Sequence, residues 1–266
     1  MTARMKAMPD FYARPRGPKP LATVKGMGLH IPRSRWFWLP IPAFCVEHPT
    51  AGPILIDTGL SAQVATDAGA ALGRLGRLAF TIDMKPAWAA PAQLRRRGID
   101  PAAVELIVMT HLHYDHASGL AQFPGAKVVV DEREREAARK GSMLDGYIER
   151  LHATPGQRWE TLPHDEQEID LLGDGTLRLV STPGHSAGHR SVILRLRGDR
   201  ELLLTGDAAY ARQTVEEQLL PLLTWDDDAY RRSLSWVREW VAAHPGAPYI
   251  PGHDAAAWSD LDAVYE

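Results

Sequence analysis

One ten-residue run, Thr110-His111-Leu112-His113-Tyr114-Asp115-His116-Ala117-Ser118-Gly119, limits what this chain can become more than any other feature. It places three histidines and an aspartate within six residues. Ahead of it lies Val104-Glu105-Leu106-Ile107-Val108-Met109, apolar enough to read as a buried strand. A strand that ends in such a cluster throws several side chains from one tight turn into one small space. Three imidazoles and a carboxylate suit zinc, and also iron or manganese. The plain alternative is a histidine-rich loop without metal, but these groups are too crowded for a solvated surface.

Four ligands do not fill a two-metal site, so other segments must supply more. Three later stretches share one form, an apolar or extended run ending in a glycine turn with a ligand. They are Leu179 to His185, Leu202 to Asp207 and Tyr249 to His253. Glycine there lets the backbone turn sharply and come close to a metal. A different chemistry also finds a match, because Gly184-His185-Ser186-Ala187-Gly188 satisfies G-x-S-x-G. Ser186, Asp207 and His253 follow the α/β-hydrolase order. That elbow needs a helix after the serine, whereas Ser191 to Leu196 reads as a strand, and it leaves the histidine cluster unexplained.

Composition narrows the partners. A net charge of −3 and the absence of a basic patch give no reason to expect nucleic acid or an anionic membrane. No run of about 18 apolar residues exists, so no membrane span is expected. Cys45 is the only cysteine, which excludes an internal disulfide and a cysteine zinc finger. A reducing, cytoplasmic setting fits this usage. Residues 1–20 have no apolar core of a secretory signal and read as a flexible arm. Residues 21–266 then form a single domain.

Taken in order, Val24 to Ile31 reads as a strand, and the aromatic stretch Arg33 to Pro40 as buried packing. Trp36, Phe37 and Trp38 could instead serve a homodimer contact. Ile41 to Glu47 and Pro53 to Asp57 form a hairpin, after which Asp57 could orient a metal ligand or simply hold a turn. Residues 60–85 lack a clean period. Pro91 to Arg97 is a helix stopped by Gly98, and Asp100-Pro101 caps a short turn. Lys127 to Val130 is a strand. Asp131 to Lys140 is a helix whose charges form a solvated face, acids first and bases last. Residues 141–165 read as a connection, with His152 and His164 as non-ligands. Two further hairpins join Ile169–Leu172 to Thr176–Val180 and Ser191–Leu196 to Glu201–Thr205. Asp226-Asp227-Asp228 starts a helix that runs to about Ala243 and buries Tyr230, Leu234, Val237 and Val241. His189 could support a ligand or cap the turn, and it reads as a turn cap.

The seven ligands in this order resemble the metallo-β-lactamase superfamily, with its HxHxDH motif, later histidine, bridging aspartate and final histidine. The resemblance spans roughly residue 20 to the C-terminus. It implies a four-layer αββα sandwich, within the α/β class, with a dinuclear metal site at one edge of the sheets. It also implies that His111, His113 and His185 bind one metal, that Asp115, His116 and His253 bind the other, and that Asp207 bridges them. Two divalent ions per chain are expected, zinc first, with iron, cobalt or manganese also accepted. Such ions lower the pKa of bound water to about 7, which makes hydroxide available at neutral pH. Asp115 would orient that hydroxide and return a proton to the leaving group.

Within the superfamily, HLHYDHASG, TPGHSAGH, LLTGDAAY and the near-terminal GHD are similar to N-acyl homoserine lactonases. These enzymes carry a tyrosine at the spacing of Tyr210, whose phenol could donate to a developing oxyanion. The resemblance therefore implies hydrolysis of a small-molecule lactone or ester, and quorum quenching. Thioesterase, aryl esterase and phosphotriesterase activities of the same fold are the alternatives, and a serine hydrolase using Ser186 is the remote one. Residues 60–85 and 141–165 match these enzymes poorly.

Overall fold

The computed structural model describes residues 3–7, 37–79 and 81–266. The expected strand Val24 to Ile31, most of the N-terminal arm and the stretch Arg33 to Trp36 lie outside the described residues. The chain divides into two compact units, one built chiefly on Ile41–His164 and the other chiefly on Asp165–Glu266.

The first unit carries a five-stranded mixed sheet. Its strands are β1 (Phe44–His48), β2 (Gly52–Ile56), β3 (Leu106–Val108), β4 (Lys127–Asp131) and β5 (Arg158–Leu162), and they lie side by side in that order. The hairpin β1–β2 is antiparallel, with Phe44 opposite Ile56 and His48 opposite Gly52. The remaining pairs are parallel. Parallel strands are covered on both faces, and so they read as unbroken apolar runs. Leu55, Ile107, Val128 and Val130 accordingly pack with Leu94, Leu112 and Phe123 into one core. Burying each such side chain contributes about 1.5–3 kcal/mol.

The helix Ala90–Arg96 stops before Gly98, whose φ of +78° favours glycine. Asp100 caps the following turn by accepting from the Ala102 amide at 3.0 Å. Two stretches differ from expectation. Residues 60–85 contain helices Ala62–Thr66 and Ala68–Ala79 and a strand Thr81–Asp83. The second helix is broken at Gly73, with φ of +80°, and a broken helix loses its 3.6-residue period. Residues 141–165 include β5, which lies at the sheet edge and is exposed at Arg158, Glu160 and Thr161. An edge strand of this kind lacks the apolar alternation that marks a half-buried one.

The second unit carries the other mixed sheet. Its strands are β6 (Glu168–Asp170), β7 (Leu177–Ser181), β8 (Arg190–Arg195), β9 (Glu201–Gly206) and β10 (Tyr249–Pro251), lying in the order β10-β9-β8-β7-β6. Only β9–β10 is parallel. The long helix Asp227–Ala243 begins at Asp226, whose carboxylate accepts from the Ala229 amide at 2.6 Å. It buries Tyr230, Leu234 and Val237 against Val180, Ile193 and Leu203, with Val241 partly buried beside them. Among the described residues no helix is long and apolar enough to cross a membrane.

Candidate metal centre

In the first unit, β3 delivers the chain into Thr110 and the ligand turn. His113 ends the extended segment, and a single helical turn, α1 (Tyr114–Ala117), follows it. The turn crowds the rings. His111 lies 4.6 Å from His113 and 4.1 Å from His116, centroid to centroid. His111, His113, Asp115 and His116 are each at most 6% exposed, which rules out a solvated loop.

Asp57 organises this turn. Its carboxylate accepts from the Thr110 amide and from the Thr110 hydroxyl, both at 2.8 Å. It also lies 2.7 Å from His116 Nδ1. Asp57 itself sits at φ +56°, a conformation few non-glycine residues adopt. It thus both orients His116 and holds the turn.

Glu134 corrects the expectation for α2 (Glu132–Lys140). Most of that helix's charges are solvated, but Glu134 is fully buried. It accepts from the Leu112 amide at 2.9 Å and from the Tyr147 hydroxyl at 3.0 Å. Tyr147 in turn packs edge-on to His113 at 4.7 Å. Gly146 is required next to it, because a Cβ there would fall 2.6 Å from His113 Cδ2. Neither Glu134 nor Tyr147 was foreseen. The one available signal was that Glu134 falls on the same helix face as the buried Ala138, four residues on.

In the second unit, three turns converge. Asp207 Oδ2 lies 3.2 Å from both His185 Nε2 and His253 Nε2. Gly252 permits the approach, since a Cβ there would sit 2.5 Å from Asp207 Oδ1. The Tyr210 hydroxyl is fully buried, 3.1 Å from His185 Nδ1. Tyr230 is core, as its spacing predicts. Burial, and then the charge of Asp207, push its phenol well above its ordinary pKa, so it stays protonated.

His189 is more than a turn cap. Its Nε2 accepts from the Asp207 amide at 2.9 Å, which fixes the proton on Nδ1. Nδ1 then donates to Thr182 Oγ1 at 2.9 Å, which donates to Ser191 Oγ at 3.0 Å, which donates to the Thr205 carbonyl at 2.9 Å. This buried relay closes two residues before Asp207 and fixes its backbone.

The donor set fits metal binding on one test. A ligating histidine donates one ring N–H to a protein acceptor and turns the other nitrogen to the metal. His116 Nδ1 faces Asp57, and His111 Nδ1 faces Thr110 Oγ1 at 3.0 Å. His185 Nδ1 faces the Leu223 carbonyl at 3.2 Å, and His253 Nδ1 faces the Pro40 carbonyl at 2.8 Å. In all four cases Nε2 is the nitrogen a metal would take. His152 and His164 take no part in either cluster. The serine-hydrolase alternative fails on structure, since Gly188 leads into strand β8 rather than a helix.

These features define a metallo-hydrolase of α/β architecture. The profile of the Metallo-beta-lactamase superfamily matches residues 36–263, and the chain belongs to that superfamily, with its fold. It is 38% identical over 223 residues to AttM of Azorhizobium caulinodans, an N-acyl homoserine lactonase, covering 83% of this chain and 84% of that protein. A solved structure of an N-acyl homoserine lactone hydrolase, with N-hexanoyl-L-homoserine bound at its catalytic metal centre, superposes with a TM-score of 0.79. It is 23% identical, covering 98% of this chain and 94% of that one. The dizinc quorum-quenching lactonase AidC superposes with a TM-score of 0.63 at 15% identity, covering 96% of this chain and 85% of that one.

Proposed function

We propose that this protein is a dinuclear metal-dependent hydrolase that opens the lactone ring of N-acyl homoserine lactones. The observation that carries the reading is the 38% identity to a lactonase over 83% of the chain. The four histidines held through Nδ1 support it. Within this reading residues 21–266 act as one domain. His111, His113 and His185 would hold one metal, Asp115, His116 and His253 would hold the other, and Asp207 would serve both. Zinc suits these ligands best, and a cytoplasmic setting fits the single cysteine.

Divalent ions held by these residues would supply an acidified water and polarise the lactone carbonyl. The protein's own groups handle the rest. The Asp115 carboxylate orients the attacking water and later returns a proton to the leaving alkoxide of homoserine. The Tyr210 phenol, 3.1 Å from His185 Nδ1, donates to the oxyanion that develops on the carbonyl. Asp57 and Glu134 hold the first ligand turn, and the His189 relay holds the second aspartate.

The test is proton release from N-acyl homoserine lactones of short and long chain, using metal-loaded protein. Chelated protein and Asp115→Asn are the controls. Rapid hydrolysis lost on chelation is expected. No hydrolysis by protein carrying two metals per chain would remove the lactonase reading and turn the search to thioesters, aryl esters and phosphotriesters.

A further inference from the structure

The first unit holds a cavity of about 350 Å³ lined by Arg135, Arg139, His152, Thr154, Gln157 and Trp159. Its chemistry is specific. Arg135 is half-buried, stacked 3.8 Å over the Trp159 ring, and donates to the His152 carbonyl at 3.1 Å. Arg139 stands exposed at the rim. Neither guanidinium has an ion-pair partner among the described residues, and Glu149, also at the rim, pairs with neither.

The same lining carries polar atoms that have no hydrogen-bond partner in the protein. Both ring nitrogens of His152, at 1% exposure, have no hydrogen-bond partner. The same is true of Thr154 Oγ1 and Gln157 Oε1, although Gln157 Nε2 donates to the Ala126 carbonyl at 2.5 Å. Burial, and then the charge of Arg135, hold the His152 imidazole down at about 4, so it is neutral at physiological pH. An unpaired buried polar atom is expensive, and natural proteins rarely keep several at one place. Here the groups without a partner are a neutral imidazole, a hydroxyl and an amide oxygen that can only accept, and they lie beside the exposed Arg139 and an Arg135 already held by the His152 carbonyl. The cations call for an oxyanion, and the amide oxygen calls for a donor on that same ligand.

We propose that this cavity binds a small oxyanion that also carries a hydroxyl group, a phosphate or a hydroxy-carboxylate. Arg135 and Arg139 take the charged oxygens, Gln157 Oε1 accepts from the hydroxyl, and His152 and Thr154 complete the shell. The site is independent of the lactonase reading.

The experiment titrates inorganic phosphate, 3-hydroxybutyrate and sulfate into metal-loaded protein and follows the Trp159 indole N–H by NMR, assigned with Trp159→Phe. Phosphate or 3-hydroxybutyrate should shift that resonance saturably, and the tighter of the two names the source. Sulfate, which has no hydroxyl at neutral pH, should bind about tenfold more weakly. Arg139→Glu and Thr154→Val should each weaken binding at least about tenfold while lactone turnover stays unchanged. The proposal is overturned by the absence of a saturable shift with either ligand, or by undiminished binding in Arg139→Glu. Sulfate binding as tight as phosphate would overturn it as well. So would phosphate that inhibits turnover without moving Trp159, since that places the anion at the metals alone.

Discussion

The two units build their ligand clusters in opposite ways. The first packs His111, His113, Asp115 and His116 into one strand–turn–helix, so a few neighbouring residues fix most of the geometry. The second draws His185, Asp207 and His253 from three turns spread along β7, β9 and β10. Its ligands converge only when the sheet has formed, because distant segments must close long loops first. The supports follow the same division. Asp57 and Glu134 reach the first cluster with carboxylates, whereas the second is fixed largely through main chain: the Pro40 and Leu223 carbonyls, the Asp207 amide and the close pass of Gly252. A dense cluster is therefore defended by side chains that can be mutated one at a time. A dispersed one is defended chiefly by backbone, which the His189 relay holds in place.

The largest test of this contrast replaces one acid in each cluster. Asp115→Asn should lower kcat by about 10²–10⁴-fold, the loss expected for a positioned acid–base group. Metal content should stay near two per chain, because the neighbouring histidines remain in place. Asp207→Asn should lose metal along with activity, since His185 and His253 then face a neutral amide. Metal analysis beside steady-state kinetics distinguishes the two outcomes. If Asp115→Asn loses its metals and Asp207→Asn keeps them, the contrast is reversed.

Next in size is Asp57→Asn. The loss of a carboxylate behind a ligating histidine should weaken metal binding by about 10–100-fold, read by competition with a chelator. A Glu134→Gln variant should fall by less, because its amide oxygen can still accept from the Leu112 amide. Equal losses would mean that the turn needs both charges rather than the single His116–Asp57 pair.

His152 measures the first unit away from its ligands. With its folded pKa lowered to about 4 from 6.5, both states are neutral above pH 6.5. Below 6.5 the unfolded chain takes a proton that the folded chain refuses. Stability should therefore be fully present above pH 6.5 and fall as pH drops toward 4, by about 2 kcal/mol at pH 5. Urea unfolding of wild type and His152→Phe at pH 7.5 and 5 checks this, and the variant should lack that part of the decline. Parallel decline in the two proteins would show that the titration belongs to other groups.

Much of this is legible in the sequence. The buried run into His111, the three glycine turns and the Asp226 cap each carry their signal within a few residues. The strands β1 to β4 and β6 to β10 were all visible in outline, within a residue or three at their ends. What escaped was set by long-range packing. Glu134 sits in Glu132-Arg133-Glu134-Arg135-Glu136, where composition gives every sign of solvent, and only Leu112 and Tyr147 reveal that one acid points inward. The edge strand β5 hides among charges because the sheet needs its backbone more than its side chains. His189 reads as a cap until the Asp207 amide arrives from eighteen residues away.

That amide gives the smallest and sharpest test. If the second cluster is defended through main chain, the acceptor at His189 Nε2 should matter to metal binding even though His189 touches no metal. A neutral hydrogen bond contributes about 0.5–1.5 kcal/mol net, so His189→Phe should weaken metal binding by about 3–10-fold. His189→Gln, whose amide oxygen can take the place of Nε2, should recover most of that loss. The split between the two variants is the informative quantity, because simple damage to the turn would lower both alike. A phenylalanine variant that holds metal as tightly as wild type would reduce His189 to a turn cap after all. The defence of Asp207 would then rest on Gly252 and the sheet, and the division between the two clusters would be sharper still.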